Sequence, residues 1–370
     1  MIFHGPHVSG AEYRQLLELV FATNRQSIAR GHQPIPLCVW GMPGIGKTQS
    51  IRDFAAERRL GFLQINPAQF EEMGDITGMP RVHDGGTPDD PHDDVTLYVM
   101  PEWAQRMHRL GGEGILLLDD VNRADDRILR GIMQLLQDRR MFNWHLPQGW
   151  QIMLTANPDG GDFSVTPMDQ ALLTRMMHCT MEFQAPAWAT WAERGGVDAR
   201  GISFVLAYPE LVGKGRTTPR SLTFLFEHLR GIGDVSQHAA LVNLLAHSCI
   251  EREAAVAFVG YCNSSLAQLP SPQELLGGDL MVEVLPRLSR LAFDESGAPK
   301  VDHLSVLVER LLAHARMRSE PLDARARENL VAFLMWDRLP HEVVRMAWLA
   351  ARDVEHLRFL SQVDRLALRA

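Results

Sequence analysis

The chain has 370 residues, 46% hydrophobic and 22% charged, with a formal net charge of −8. That length and balance fit a globular protein of two or three domains and exclude a disordered chain, a collagen and a small disulfide scaffold. The acidic balance argues against a bulk basic footprint for nucleic acid, and no apolar run approaches the roughly 18 residues that span a bilayer. Cys38, Cys179, Cys249 and Cys262 contain no C-x-x-C pair and read as small buried hydrophobes of a reducing compartment. The opening Met-Ile-Phe-His-Gly-Pro-His lacks the basic and apolar regions of a signal peptide, so a cytoplasmic location is expected.

Ser9-Gly10-Ala11-Glu12 is a capping-box pattern. Tyr13, Leu16, Leu17, Val20 and Phe21 follow at helical spacing and predict an amphipathic helix ending near Gly31. Ile35 to Trp40 reads as a strand, followed by a glycine-rich turn, a helix from Lys47 to Arg59 and a strand from Phe62 to Ile65. Strand, loop, helix, strand implies a parallel sheet. Residues 66–100 are rich in Gly, Pro and Asp, with a strand at Val95 to Val99. Pro101 can open a helix that runs to Leu110. Ile115 to Leu118 is a buried strand, Ile128 to Leu136 an amphipathic helix, Ile152 to Ala156 a strand, 166–177 a helix and Cys179 to Phe183 a last strand. Residues 1–185 therefore predict an α/β sandwich with five strands in its main sheet. Beyond Pro186 helical periods dominate, as in Leu222-Leu225-Phe226-Leu229. A helical lid over 186–298 and a helical extension over 299–370 are expected, with Pro/Gly-rich connections near 264–279 and 296–300. The amphipathic stretch 341–360 is expected to pack on the lid.

Gly41-Met42-Pro43-Gly44-Ile45-Gly46-Lys47-Thr48 is a P-loop, G-x-x-x-x-G-K-T, between a predicted strand and a predicted helix. Its glycines let backbone N–H groups converge on phosphate, and the helix N-terminus adds positive potential. These eight residues and Gln49 are the expected nucleotide-binding set. Lys47 is expected to reach the β/γ-phosphates as a compact point charge, and Thr48 to ligate Mg²⁺. Lys47, Lys214 and Lys300 are the three lysines among 37 Lys and Arg, so lysine at a given site carries weight. Ile115-Leu116-Leu117-Leu118-Asp119-Asp120 is a Walker B pattern: a buried strand delivers acids at its carboxyl end. Asp119 is expected to hold Mg²⁺ and Asp120 to act as general base on the attacking water. Many ATPases carry Glu at the second position; Asp is one methylene shorter, which predicts slow turnover.

These motifs, taken with those that follow, resemble the AAA+ ATPases, and most closely their MoxR branch. Leu118-Asp119-Asp120-Val121-Asn122-Arg123-Ala124 resembles that branch's D-E-hydrophobic-N-R-A stretch. Leu146-Pro147 followed by Ile152-Met153-Leu154-Thr155-Ala156-Asn157-Pro158 resembles its sensor 1 strand. Asp169 to Met176 resembles the helix that carries the arginine finger, and Thr218-Pro219-Arg220-Ser221 the sensor 2 start of a lid helix. The resemblance covers about 35–230. It implies that Asn157 orients the lytic water, that Arg175 reaches a neighbouring subunit's γ-phosphate, and that Arg220 contacts the nucleotide from the lid. Arg123 is a lesser candidate for an interface role. The implied cofactors are ATP and Mg²⁺. The implied assembly is a ring, a hexamer, acting chaperone-like on a protein client, in some members with a von Willebrand factor A domain partner.

Glu72 to Pro80 reads as a loop facing substrate or partner in the ring pore. His83, Asp84, His92, Asp93 and Asp94 lack metal-ligand spacing and read as a solvated loop. Trp144, Trp150, Trp188 and Trp191 read as packing aromatics, and Gly213-Lys214-Gly215-Arg216 as a solvated basic turn. Two further functions stand beside the mechanochemical ATPase. One is a nucleic-acid motor or loader, disfavoured by the acidic charge. The other is a nucleotide-gated scaffold that does not hydrolyse, motivated by Asp120.

Overall fold

The computed structural model describes residues 4–83, 95–159, 165–233, 235–262, 268–294, 296–317, 321–352 and 355–362. The chain divides into two compact units, Met1–Glu182 and Phe183–Ala370. In the first, the elements in chain order are β1 (His7–Val8), α1 (Gly10–Ala29), β2 (Leu37–Trp40), α2 (Lys47–Glu57), β3 (Gly61–Ile65), α3 (Gly74–Thr77), β4 (Met79–His83), β5 (Val95–Val99), α4 (Glu102–Leu110), β6 (Gly114–Leu118), α5 (Asp126–Asp138), β7 (Arg140–Met141), β8 (Trp144–His145), β9 (Trp150–Ala156), α6 (Gln170–Leu173) and β10 (Met177–Met181).

The main sheet is parallel throughout, in the order β1-β10-β2-β9-β6-β3. β2 and β6 are apolar on both faces, as strands covered by helices on both sides require. On β2, Leu37 and Val39 join the core beneath α1 and α2, whereas Cys38 and Trp40 join the core beneath α4 and α5. On β6, Ile115 and Leu117 take the first face and Leu116 and Leu118 the second. The chain leaves β2 for β3 at the far edge, returns through β6 and β9, and passes over β2 to reach β10. β2 is therefore the topological switch point, and the crevice beyond its carboxyl end is where ligands bind in such sheets.

The five expected strands are all present, and a sixth among the described residues corrects the count. β1 adds an edge through His7↔Thr180 and Val8↔Met181; two residues carry no periodicity that a sequence pattern can display. The helix expected over 166–177 shrinks to Gln170–Leu173, capped by the Asp169 side chain on the Leu172 N–H. Met177 is already in β10, paired with Leu37, so sheet pairing overrides the helical pattern there. In the 66–100 stretch, β4 and β5 form an antiparallel hairpin. Asp84 and His92 to Asp94 lie outside the described residues.

In the second unit the helices are α7 (Ala185–Arg194), α8 (Ala199–Ala207), α9 (Pro219–Leu229), α10 (Ala239–Cys249), α11 (Arg252–Cys262), α12 (Pro272–Gly277), α13 (Leu285–Leu291), α14 (Val301–Met317), α15 (Ala324–Leu334) and α16 (His341–Ala351). One apolar cluster runs from Ala185 to Leu360, and α14 packs against α7, α8 and α16 within it. Val343, Val344, Ala347 and Ala351 are the buried stripe of α16. α12 corrects the expected connection at 264–279. Ser271 caps it, Glu274 closes the capping box, and Pro272 sits in its first turn, so residues read as turn punctuation are start signals here. Among the described residues no helix is long and apolar enough to cross a membrane.

One packing detail is set by glycine. A Cβ on Gly114 would lie 2.6 Å from the Trp150 indole, and one on Gly61 2.8 Å from it. Both glycines begin strands, paired with each other across β3 and β6, and Trp150 is fully buried on β9. Gly114→Ala is expected to destabilise the protein by about 1–3 kcal/mol through overpacking. The urea midpoint at unchanged slope reads this; an unshifted midpoint would show that the indole moves aside at no cost.

Candidate functional site

The P-loop opens from the carboxyl end of β2. Gly41, Gly44 and Gly46 have φ of +153°, +78° and +101°, values that L side chains avoid. A Cβ on Gly41 would also approach the Met181 carbonyl oxygen to 2.9 Å. Gly46 is the N-cap of α2 and supplies no side-chain cap, so the N–H groups of that helix's first turn remain for a ligand. Gln49 is exposed and its amide donates to Asp53 Oδ1 at 2.7 Å.

Lys47 is 5% exposed. Its ammonium donates to the carbonyls of Gly41 at 2.7 Å and Met42 at 3.1 Å, and to Asn157 Oδ1 at 3.2 Å. The P-loop and the residue after β9 thus meet on one cation. Thr48 Oγ1 donates to Asp119 Oδ1 at 2.6 Å. Thr155 Oγ1 donates to the same oxygen at 2.7 Å, and Gln64 Nε2 to Asp119 Oδ2 at 2.8 Å. Gln64 is itself held by Arg52, whose guanidinium donates to Gln64 Oε1 at 2.6 Å. The carboxylate is thereby fixed by side chains from α2, β9 and β3.

Asp120 follows in the left-handed region, φ 51° and ψ 46°, a conformation that Asp tolerates better than most residues. Its N–H donates to Thr155 Oγ1 at 2.8 Å. Its carboxylate does not share the Asp119 cluster: Oδ2 pairs with Arg123 Nε at 3.2 Å. Asn157 is fully buried, and its Nδ2 has no hydrogen-bond partner among the described residues. An orphaned buried donor is costly, and this one belongs to a residue in contact with the P-loop lysine.

These residues fit a nucleotide and Mg²⁺. The glycine loop and uncapped helix end suit phosphate, the Thr48 hydroxyl and Asp119 carboxylate are the hard oxygen donors that Mg²⁺ takes, and Asn157 Nδ2 has a donor to spare. Among the described residues no group of three or more His, Cys, Asp or Glu is placed to hold a metal by itself.

Arg175 is not brought to this cluster. It follows α6 and precedes β10, at the amino end of the sheet, whereas the P-loop lies at the carboxyl end. Its Nε donates to Gln137 Oε1 at 3.0 Å, and its Nη1 donates to the Ala171 carbonyl. Arg220 lies in the first turn of α9, in the second unit, where Thr218 and Ser221 form a capping box. Lys214 is exposed in a turn bridged to Thr217.

Trp40, the last residue of β2, donates from Nε1 to His178 Nδ1 at 3.0 Å, and His178 Nε2 contacts the Leu173 carbonyl at 2.8 Å. The ring is neutral in this arrangement, with burial holding its pKa below the ordinary histidine value. A chain of hydrogen bonds therefore joins the strand behind the P-loop to α6.

Sequence reasoning missed Gln64 and Thr155. The signal for both was a polar residue inside an otherwise apolar strand: Phe62-Leu63-Gln64-Ile65, and Ile152-Met153-Leu154-Thr155-Ala156.

No protein-family model matches the chain, and no curated protein matches it. Among solved structures it is similar to a variant of Thermotoga maritima RuvB, at 16% identity over 87% of this chain and 94% of that one, with a TM-score of 0.41. It is also similar to the T. maritima RuvB Holliday junction branch migration motor, at 13% identity over 92% and 90%, with a TM-score of 0.38. At these identities and scores the likeness assigns no function to this chain.

Thr155→Val keeps the shape of the side chain but removes a donor to Asp119 and an acceptor for the Asp120 N–H. Hydrogen bonds to charged groups are worth about 1.5–3 kcal/mol, so a loss of about 2 kcal/mol in unfolding free energy is expected from chemical denaturation. A midpoint like that of the wild type would mean that water replaces the hydroxyl.

Proposed function

We propose that this chain is a Mg²⁺-dependent ATPase of the AAA+ type that works as an oligomer. The observation that carries the reading is the cluster Lys47–Asn157 and Thr48–Asp119, at the carboxyl edge of a parallel sheet and at its switch point. In this reading Gly41 to Gln49 cradle the phosphates, Lys47 holds the β/γ oxygens, and Thr48 and Asp119 hold Mg²⁺. The metal, when bound, neutralises charge on the phosphate oxygens. Asp120 accepts the proton of the attacking water, and Asn157 orients that water through its free Nδ2. Arg175, at the far end of the sheet, serves a site in another copy, and Arg220 contacts nucleotide from the second unit.

The client reading is chaperone-like remodelling of a protein in a hexameric ring and, as the MoxR resemblance implies for some members, with a von Willebrand factor A domain partner. Its support here is the β4–β5 hairpin, where Met79, Val82, Val95, Leu97 and Val99 are all exposed. One observation favours a second reading, the nucleotide-gated scaffold: the Asp120 carboxylate is engaged by Arg123 and not by the cluster that holds Asp119.

Steady-state MgATP hydrolysis over a range of protein concentrations separates the two. Specific activity is expected to rise with concentration. Lys47→Ala should abolish it, Asp120→Asn should lower it about 10²–10⁴-fold, and Arg175→Ala about 10³–10⁵-fold with nucleotide binding retained. Wild-type turnover no greater than that of Lys47→Ala, with ATP still bound, would sink the ATPase reading and leave the scaffold.

A further inference from the structure

Asn122 is fully buried, and its side-chain amide is spent on another loop. Nδ2 donates to the Asn157 carbonyl at 2.7 Å, and Oδ1 accepts from the Asn157 N–H at 3.0 Å. The second Nδ2 proton faces Asp159 Oδ1 at 3.4 Å. One amide thus mimics a backbone strand partner and pairs both main-chain groups of a single residue. The residue so gripped is Asn157, whose Oδ1 meets Lys47 and whose Nδ2 is unpartnered. Asn122 itself stands two residues after Asp120, and its own carbonyl accepts the Thr166 N–H at 2.7 Å.

With both main-chain groups of Asn157 clamped, its φ and ψ have little freedom. The direction of its side chain is then set by the Asp119–Asn122 turn and not by the end of β9 alone. We infer that Asn122 is a positioning residue, which fixes the Asn157 amide relative to Asp119 and Asp120 and so aligns the water-orienting donor with the base. The inference rests on the ATPase reading above. A residue serving only the fold would be replaceable with loss of stability and proportionate loss of every activity. A positioning residue acts through Asn157, so its removal costs nothing further once the Asn157 side chain is gone.

The test is a double-mutant cycle on the full chain, with Asn122→Ala, Asn157→Ala and the double variant, reading kcat for MgATP and the affinity for a fluorescent ATP analogue. A misplacement of about 1 Å at a reacting centre costs about 100-fold in rate. Asn122→Ala is expected to lose kcat by that factor with analogue affinity changed less than about threefold. The double variant should be no slower than Asn157→Ala, because residues that act as a unit are not additive. If Asn122→Ala does not bind the analogue, Asn122→Ser takes its place in the cycle; failure of both to bind would show a role in the fold alone and overturn the inference. Wild-type kcat in Asn122→Ala, or losses that multiply in the double variant, would also overturn it. A wild-type chain that binds the analogue but never hydrolyses ATP refutes the ATPase reading itself, a result distinct from either of these.

Discussion

The carboxylate of Asp119 is the point on which the first unit converges. It leaves β6, whose five residues are all buried, and a charge at such a place is costly unless donors surround it. Thr48, Thr155 and Gln64 supply them from three other elements. Each donor is placed by something else. Thr48 is fixed by the start of α2, which is fixed by the P-loop glycines; Thr155 is fixed by the β9 ladder; Gln64 is tied to Arg52, also on α2.

A division of labour follows along each strand. The middle of the sheet is apolar on both faces and supplies the hydrophobic stabilisation. The carboxyl ends carry the polar groups, and there the backbone departs from strand geometry. Asp120 turns left-handed directly after β6, and the N–H that this turn exposes is collected by Thr155. Asn122 then closes the same turn onto the residue after β9. Two loops from neighbouring strands are thus welded where the chemistry is proposed, while the helices on either face remain ordinary apolar packing.

The parts of this arrangement that sequence made legible are those set by local rules. The P-loop depends on glycines at fixed offsets before a lysine, the Ser9 start depends on capping, and the five long strands depend on apolar runs. The parts that were not legible depend on what lies across space. β1 exists because β10 offers it a partner edge. Met177 is a strand residue because Leu37 pairs with it, although its own pattern continues a helix. Gln64, Thr155 and the grip of Asn122 join segments 35 to 55 residues apart, and no spacing rule within one element expresses that. Gln64 and Thr155 left a trace as polar residues in apolar strands, and Asn122 as a member of the stretch that follows Asp120.

Lys47 shows how a local rule and a spatial one coincide. Of the three lysines, Lys214 is exposed in a turn and Lys300 reaches the Leu291 carbonyl at 3.3 Å. Lys47 alone is buried, and three acceptors surround its ammonium at 2.7, 3.1 and 3.2 Å. An ammonium has three protons on one atom and can serve three acceptors that converge. A guanidinium spreads five protons over a plane and would meet the same acceptors with part of its fork unpaired in a buried place. The site therefore selects lysine in a chain that uses arginine almost everywhere else.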